Sequence, residues 1–194
     1  MSNQKTQTSR SGGIVLVALA LGAVLTAVFV GLNYGHSRGQ AAGLTVSAAG
    51  RRPIVIQGQL LGGGSFSTAK WKSKVIIVDF WGTWCPWCVR EAPTIAKLYA
   101  KYHRHGLEVL GVSLNDTSAA VRRYRKANPQ EAWPQLQDIH RHNEAIARHL
   151  GIQGLPTELV IDRKGMLKHT LVGYAPRQLV ADVQKLLVPA KAPH

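Results

Sequence analysis

The sequence predicts an α/β domain with a mixed central sheet and helices on both faces, preceded by one N-terminal transmembrane helix. Three observations lead to this prediction. An uncharged apolar stretch lies near the start of the chain, β-branched runs alternate with helical patterns after residue 53, and two late strands flank a tight turn. With 194 residues and 45% hydrophobic content, the chain can bury one core, which excludes wholesale disorder.

The N-terminal apolar stretch spans Ile14 to Leu32 and contains no charged residue. A helix of this length crosses a hydrocarbon core of about 30 Å, whereas a secretory signal has an apolar region of only about 7–15 residues. We therefore expect an uncleaved anchor in the lipid bilayer, in preference to a cleaved signal peptide or a buried helix.

The remaining segments follow from charge and composition. Lys5 and Arg10 bias the N-terminus toward the cytoplasm, so the domain is expected on the periplasmic or outer side of the cytoplasmic membrane. The stretch after the anchor is rich in Gly, Ala, Ser and Gln, which is typical of a flexible tether. The predicted tail, anchor, tether, domain and C-terminal tail are residues 1–13, 14–32, 33–52, 53–188 and 189–194.

A net charge of +14 makes a nucleic-acid-binding protein a candidate class. The densest basic cluster, Arg122 to Lys126, lies in a predicted helix and contains no groove-reading motif. An anionic membrane or an acidic partner explains the same charge, and a membrane-tethered domain rarely meets nucleic acid. We therefore expect no nucleic-acid partner.

The first half of the domain combines buried strands with one long helix. Val75 to Phe80 is a continuous β-branched run, typical of a central strand buried on both faces, and Leu107 to Leu114 is a second such run. Between them, apolar residues at helical spacing predict a helix from about Pro86 to His105. Short strands around a glycine-rich turn are expected before these elements, at Ile54 to Ile56 and Leu60 to Leu61.

The second half predicts three further helices and a hairpin. A helix through Val121 and Tyr124 ends before Asn128-Pro129, because the residue before a proline disfavours helical geometry. Gly151 closes the next helix. The remaining elements are a helix at Glu144 to Leu150, strands at Glu158 to Ile161 and Met166 to Val172, and a final helix at Pro176 to Val188.

Both cysteines of the chain lie in the motif Trp84-Cys85-Pro86-Trp87-Cys88, between a predicted strand and the long helix. One helical turn brings sulfurs at this spacing within disulfide reach, and proline suits the first helical position. Amide hydrogens and the helix dipole favour an anion at Cys85, so we expect a thiol pKa below the free value of about 8.5 and a nucleophilic thiolate. Cys88 lies one turn further along the helix. We expect its thiol to be shielded from solvent and to act as the resolving thiol, which breaks the mixed disulfide.

Two other interpretations of the Cys85–Cys88 pair compete with a reactive dithiol. A structural zinc site requires four ligands, and the histidines show no spacing that would complete one, so no metal is expected. A purely structural disulfide would close too short a loop to stabilise the fold much. A reactive dithiol is the favoured interpretation, with a copper or zinc carrier or a binding module as the alternative.

The motif VDFWGTWCPWC resembles the active-site strand and helix of thioredoxins, and residues 151–174 resemble their segment with a cis-proline and the last hairpin. The helical stretch between Ser118 and Leu150, Glu91 and the predicted anchor resemble the membrane-anchored TlpA-like (ResA-like) family. The resemblance covers roughly residues 53–188 and implies a thioredoxin-like fold.

The resemblance also implies roles for individual residues. Cys85 matches the attacking cysteine, Cys88 the resolving one, and Pro156 the cis-proline that faces the dithiol and leaves the Leu155 backbone free to pair with an extended substrate. Further substrate contacts are expected from Trp84, Pro86 and Trp87, whereas Trp81 is expected to pack in the core.

Two carboxylates are candidates for handling the proton of Cys88. Asp79 lies inside an apolar strand, where burial should raise its pKa, unless it reaches water at the strand end. Glu91 lies one turn after Cys88 and matches an acid of ResA-like proteins, although a solvated carboxylate or a partner for Arg90 or Arg122 is also compatible with its position. The lysine that thioredoxins place on the adjacent strand is Gly111 here.

The predicted function is therefore that of a thiol:disulfide oxidoreductase without a cofactor. The resemblance implies cysteine-containing substrate proteins, a membrane electron donor of thiol-disulfide type, and reduction linked to cytochrome c maturation or metallochaperones. A peroxidase of the peroxiredoxin class would require a Pro-x-x-x-Thr-x-x-Cys motif, which the sequence lacks.

Overall fold

The structure is a computed structural model that describes residues 53–137 and 141–188. The predicted anchor, the tether and both tails lie outside the described residues. Within those two ranges, no helix is long and apolar enough to span a bilayer.

A small antiparallel hairpin opens the domain, and it differs from the prediction. Its strands are β1 (Gln57–Gln59) and β2 (Ser65–Ser67). Ile56 is buried, but its backbone bonds to the backbone and hydroxyl of Thr68. The predicted strands at Ile54 to Ile56 and Leu60 to Leu61 were wrong, because the residues between and after them form the ladder. Ile54, Ile56 and Leu60 pack on the core instead.

Five strands form the central sheet, in the spatial order β5-β4-β3-β6-β7. The pairs β3–β4 and β4–β5 are parallel, whereas β3–β6 and β6–β7 are antiparallel, which confirms the predicted mixed sheet. Every residue of β3, β4 and β6 is buried, as continuous apolar runs predict. The strands are β3 (Val75–Trp81), β4 (Leu107–Ser113), β5 (Gln135–Leu136), β6 (Thr157–Ile161) and β7 (Leu167–Val172).

Four α-helices connect or follow these strands, each within a few residues of its predicted position. Short 3-10 turns at Thr68–Lys70 and His103–His105 complete the regular structure of the described residues. The helices are α1 (Pro86–Tyr102), α2 (Ser118–Ala127), α3 (His142–His149) and α4 (Pro176–Leu187).

Helices cover both faces of the sheet. On one face, Ile95 of α1 and Leu179 of α4 pack with Ile77 of β3. On the other face, Ala147 of α3 packs with Phe80 and its neighbours. Since successive strand residues point to opposite faces, Asp79 shares the face of Ile77 and lies on the side of α1.

Candidate active site

Cys85 and Cys88 form a disulfide at the junction between β3 and α1. Their sulfurs are 2.11 Å apart and their Cα atoms 5.3 Å apart. In this oxidised form burial does not distinguish the two residues, because Cys85 is 5% exposed and Cys88 is 4% exposed. Their positions do distinguish them, since Cys85 precedes the helix and Cys88 lies within its first turn.

Cys85 is the N-cap residue of α1. Its backbone is extended, Pro86 occupies the first turn, and its Sγ accepts a hydrogen bond from the backbone N–H of Cys88 at 3.2 Å. A sulfur that occupies the cap position receives the positive end of the helix dipole and a directed N–H group. The cap position predicted for Cys85 is confirmed, and a lowered pKa of its thiol in the reduced form stays a prediction.

The loop before the dithiol is fixed by hydrogen bonds to the end of β4. Asp116 accepts from the backbone N–H of Thr83 at 2.7 Å and from its hydroxyl at 2.6 Å. The indole Nε1 of Trp84 donates to the carbonyl of Leu114 at 2.9 Å. These bonds hold the residues before Cys85 in place, so the Cys85 sulfur has a defined position.

The Leu155–Pro156 peptide bond is cis, which confirms the conformation implied for Pro156. Leu155 is half-buried and packs against the cluster that contains both cysteines and Trp81. The cis-proline loop and the dithiol therefore face each other, and the loop borders any segment that approaches the sulfurs.

Two tryptophans leave large apolar surfaces in solvent beside the dithiol. Trp84 is 54% exposed and Trp87 is 51% exposed, and Pro86 between them is also exposed. Trp81 is buried against Tyr124 at a centroid distance of 4.9 Å, so the expectation of core packing for Trp81 is confirmed. The exposed rings suit contact with a partner protein, which remains the predicted role of Trp84 and Trp87.

Asp79 is buried on the α1 side of β3, with 5% of its surface exposed. Burial, followed by the negative charges of Glu131 and Glu91, raises the pKa of Asp79 well above its usual value. Its antiparallel partner across the sheet is Glu158 of β6, so two carboxyl groups lie side by side on the same face.

Glu158 is fully buried, with no exposed surface. Burial, followed by the charges of Asp79 and Glu91, raises the pKa of Glu158 to about 10. A group with this pKa is protonated at neutral pH.

Glu91 joins the same group from α1 and is 1% exposed. Burial raises its pKa, and a hydrogen bond from the backbone N–H of Ala175 at 3.3 Å partly offsets that rise. The alternative of a solvated carboxylate is wrong because the side chain points into the domain, and no ion pair joins it to Arg90 or Arg122 among the described residues.

A fourth acid, Glu131, approaches from the segment between α2 and β5. It accepts a hydrogen bond from the hydroxyl of Tyr124 at 2.8 Å. Burial raises the pKa of Glu131, whereas the bond from Tyr124 and the charge of Arg125 lower it. We name Asp79, Glu91, Glu131 and Glu158 the carboxyl cluster.

Gly111 is the strand neighbour of Asp79, as the sequence comparison with thioredoxins implied. A Cβ at this position would collide with the side-chain amide of Gln135. The Oε1 atom of that amide accepts a hydrogen bond from the Trp81 indole at 3.0 Å. An uncharged amide thus fills the space beside Asp79, and no cation at this position lowers the pKa of Asp79.

Glu158, Glu131 and Gln135 were not predicted from the sequence. Glu158 carried a usable signal, because an acid within the apolar run Thr157–Ile161 resembles Asp79 within its own run. Glu131 and Gln135 gave no such signal, since they precede or begin a strand of only two residues. In the described ranges, no group of three or more His, Cys, Asp or Glu side chains is arranged to hold a metal ion.

Known proteins match this chain over most of its length. The Redoxin family model matches residues 49–187. The thiol-disulfide oxidoreductase ResA of Halalkalibacterium halodurans is 27% identical over 166 residues, which cover 86% of this chain and 92% of that protein.

Solved structures show the same fold. A thiol:disulfide interchange protein from Bacteroides sp. has a TM-score of 0.66 and 26% identity, covering 76% of this chain and 95% of its own. A thiol:disulfide interchange protein of the thioredoxin family from Chlorobium tepidum TLS has a TM-score of 0.62 and 27% identity, covering 72% and 100%.

The fold and the dithiol together define a thiol-disulfide oxidoreductase with a thioredoxin-like architecture. Within that class, the chain belongs to the Redoxin family and is ResA-like.

Proposed function

We propose that this protein reduces disulfides of partner proteins on the outer side of the cytoplasmic membrane, where an N-terminal helix anchors it. The observation that supports this function most directly is the Cys85 sulfur at the start of α1, facing the cis-proline loop inside a rim of exposed tryptophans. The substrate class is a cysteine pair of an extracytoplasmic protein, such as an apocytochrome c or a metallochaperone.

The reaction transfers two electrons from the dithiol to the partner. The Cys85 thiolate attacks one partner sulfur, forms a mixed disulfide and releases the other partner sulfur as a thiolate, which takes up a proton. Cys88 then loses its proton and attacks the Cys85 sulfur. This second step releases the reduced partner and leaves the Cys85–Cys88 disulfide seen in the structure.

The carboxyl cluster supplies the acceptor for the proton of Cys88. Asp79 and Glu91 have raised pKa values, so either one holds a proton at a pH where an exposed carboxylate would lose it. Glu158 keeps its proton at neutral pH, so it adds no negative charge beside Asp79 and Glu91. Repulsion within the group disfavours several charges at once, so the cluster acts as one base.

The cycle closes when a membrane electron donor of thiol-disulfide type reduces the Cys85–Cys88 disulfide. The donor repeats the same exchange in the opposite sense, its thiolate attacking this disulfide. The full-length chain in the membrane therefore alternates between two partners at one site.

Single-turnover reduction of insulin by the reduced full-length chain in detergent tests the function. Cys88→Ser is expected to accumulate a mixed disulfide, because the second attack is lost. Cys85→Ser is the matched control with the same substitution, and it is expected to reduce insulin more than about a thousandfold more slowly without a trapped complex. Equal trapping by both variants, or reduction that survives Cys85→Ser, would contradict the assigned roles.

The location is tested separately in cells. A membrane-impermeant thiol reagent, added to intact spheroplasts of an expressing strain after mild reduction, is expected to label Cys85. A cysteine introduced as Ser2→Cys in a Cys85→Ser, Cys88→Ser background is expected to stay unlabelled until the membrane is opened. Labelling of residue 2 but not of the dithiol would reverse the proposed orientation.

A further inference from the structure

The described surface of the domain carries almost only positive charge. Residues 53–137 and 141–188 contain eighteen Lys and Arg residues but nine Asp and Glu residues. Seven of these nine acids are buried. The other two, Asp116 and Asp162, are half-buried and accept hydrogen bonds from the backbone N–H groups of Thr83 and Lys164. A molecule that approaches the described surface therefore meets many cations and few exposed anions.

One of these cations lies beside the dithiol in a defined position. The guanidinium carbon of Arg90 is 5.3 Å from the ring centroid of Trp87 and 5.1 Å from that of Tyr174. The two rings are themselves 5.5 Å apart, and all three side chains are exposed. We name Trp87, Arg90 and Tyr174 the aromatic–arginine notch.

No carboxylate among the described residues forms an ion pair with Arg90. Contact with two aromatic rings restricts the guanidinium before any partner arrives, while the Arg90 side chain stays exposed to solvent. A carboxylate is the group that such a planar donor set binds best, through two parallel hydrogen bonds. The notch thus has the chemistry of a preorganised carboxylate-binding position.

The position of the notch decides what kind of anion reaches it. Trp87 lies between the two cysteines in sequence, and the exposed Val172 and Tyr174 lie just before α4, at the rim of the same site. A lipid headgroup bound there would cover the dithiol and block exchange, whereas a carboxylate on the substrate itself would not.

We propose that the aromatic–arginine notch binds an acidic side chain next to the cysteine of the partner, so that preferred substrates carry their disulfide in an acidic segment with apolar residues. This inference rests on the proposed disulfide reduction and names its substrate class. Charge complementarity at the rim of an interface acts mainly on association, so the preference appears in the second-order rate and weakens with salt.

The test uses three disulfide-bridged peptides that differ only in the residues flanking each cysteine, which are Asp, Asn or Lys. Stopped-flow tryptophan fluorescence measures their reduction by the reduced full-length chain in zwitterionic detergent. Each rate is divided by the rate with dithiothreitol, because flanking charge changes the intrinsic reactivity of a disulfide. The normalised rate for the Asp peptide is expected to exceed that for the Lys peptide about tenfold at low salt and less than about twofold in 1 M salt.

Two variants separate the notch from the general field. Arg90→Gln is expected to lower the preference to about twofold, whereas Arg123→Gln removes the same charge from the exposed face of α2 and is expected to leave most of the preference intact. Equal rates for the Asp and Lys peptides, with reduction itself intact, would overturn this inference but not the proposed function. An equal loss of the preference for the Asp peptide in both variants would overturn the role of Arg90. If none of the peptides were reduced, the proposed function would be overturned as well.

A lipid occupant of the notch makes a different prediction. Reduction of the Asn peptide is compared in nanodiscs of phosphatidylcholine and of phosphatidylglycerol, for the wild type and Arg90→Gln. We expect both proteins to respond equally to the change of lipid. Slowing by phosphatidylglycerol in the wild type but not in Arg90→Gln would assign the notch to the membrane and overturn the proposal.

Discussion

The two faces of β3 carry opposite kinds of side chain over the same stretch of strand. On the side of α3, Val78 and Phe80 are fully buried among aliphatic residues. On the side of α1, Asp79 lies between them in sequence and faces Glu158 and Glu91. Because alternate residues of a strand point in opposite directions, one strand serves both environments. The apolar face stabilises the fold, whereas the acidic face holds carboxyl groups whose pKa values are raised by burial.

The largest effect is expected on the apolar face, from Phe80→Ala. Phe80 has no exposed surface, so truncation leaves a cavity and lowers the free energy of unfolding by about 3–5 kcal/mol. Urea unfolding of the full-length chain in detergent, followed by tryptophan fluorescence, measures the loss. The exchange rate of the folded variant should stay within about twofold of wild type, and a much larger change would mean that the two faces are not separable.

The next effect concerns the acidic face and depends on pH. The pKa of Glu158 is about 10 in the folded state and about 4.3 in the unfolded state. Between these two pH values, the folded state therefore binds one proton more than the unfolded state. The free energy of unfolding therefore falls as pH rises through this window, by at most about 1.4 kcal/mol per pH unit for this one group.

Glu158→Gln removes that contribution. Relative to wild type, the variant is expected to gain about 2 kcal/mol in unfolding free energy between pH 6 and pH 8, measured by urea unfolding at each pH. Asp162→Asn, which removes a half-buried carboxylate from the turn after β6, serves as the control and should keep the wild-type slope. Identical slopes in Glu158→Gln and wild type would show that Glu158 ionises normally in the folded protein.

A smaller effect, of about tenfold in rate, is expected for Asp79→Asn. The substitution removes one proton acceptor, while Glu91 remains within the carboxyl cluster, so the loss is at the low end for general base catalysis. Release of reduced peptide from the mixed disulfide, followed at pH 7 in single turnover, reports the step of Cys88. Glu108→Gln removes a buried acid that pairs with His103 instead, and an equal loss there would argue against a specific role for Asp79.

The smallest effect is expected at the edge of the cluster, from Tyr124→Phe. The hydroxyl of Tyr124 donates to Glu131, and its loss should lower the unfolding free energy by about 1 kcal/mol. The pKa of Glu131 should rise further, because that hydrogen bond lowers it. Carboxyl titration by infrared difference spectroscopy against wild type detects the rise, and an unchanged spectrum would contradict this account of Glu131.

Continuous apolar runs made the central strands predictable, and the motif with both cysteines made the dithiol predictable. Each of β3, β4 and β6 is buried on both faces, so burial left a strong sequence pattern that required no knowledge of neighbouring strands. The cap at Cys85 was also predictable, because strand, turn and helix follow each other locally. The hairpin of β1 and β2 was not, since its two strands have only three residues each and contain no apolar run.

The carboxyl cluster required information that is not local in sequence. Asp79 was identified as an acid in an apolar run, but its neighbour Glu158 depends on the antiparallel register of β3 and β6. Glu91 was assigned from a resemblance, which did not decide between a solvated and a buried side chain. Glu131 follows from the fold of an irregular segment, which no periodic pattern describes.

The burial of seven of the nine acids in the described residues also affects how two copies of the domain meet. Two identical cationic surfaces repel at low ionic strength, and the described residues offer few exposed anions that could pair across a contact. Disulfide exchange between an oxidised and a reduced copy is therefore expected to be slower than exchange with a molecule of opposite charge.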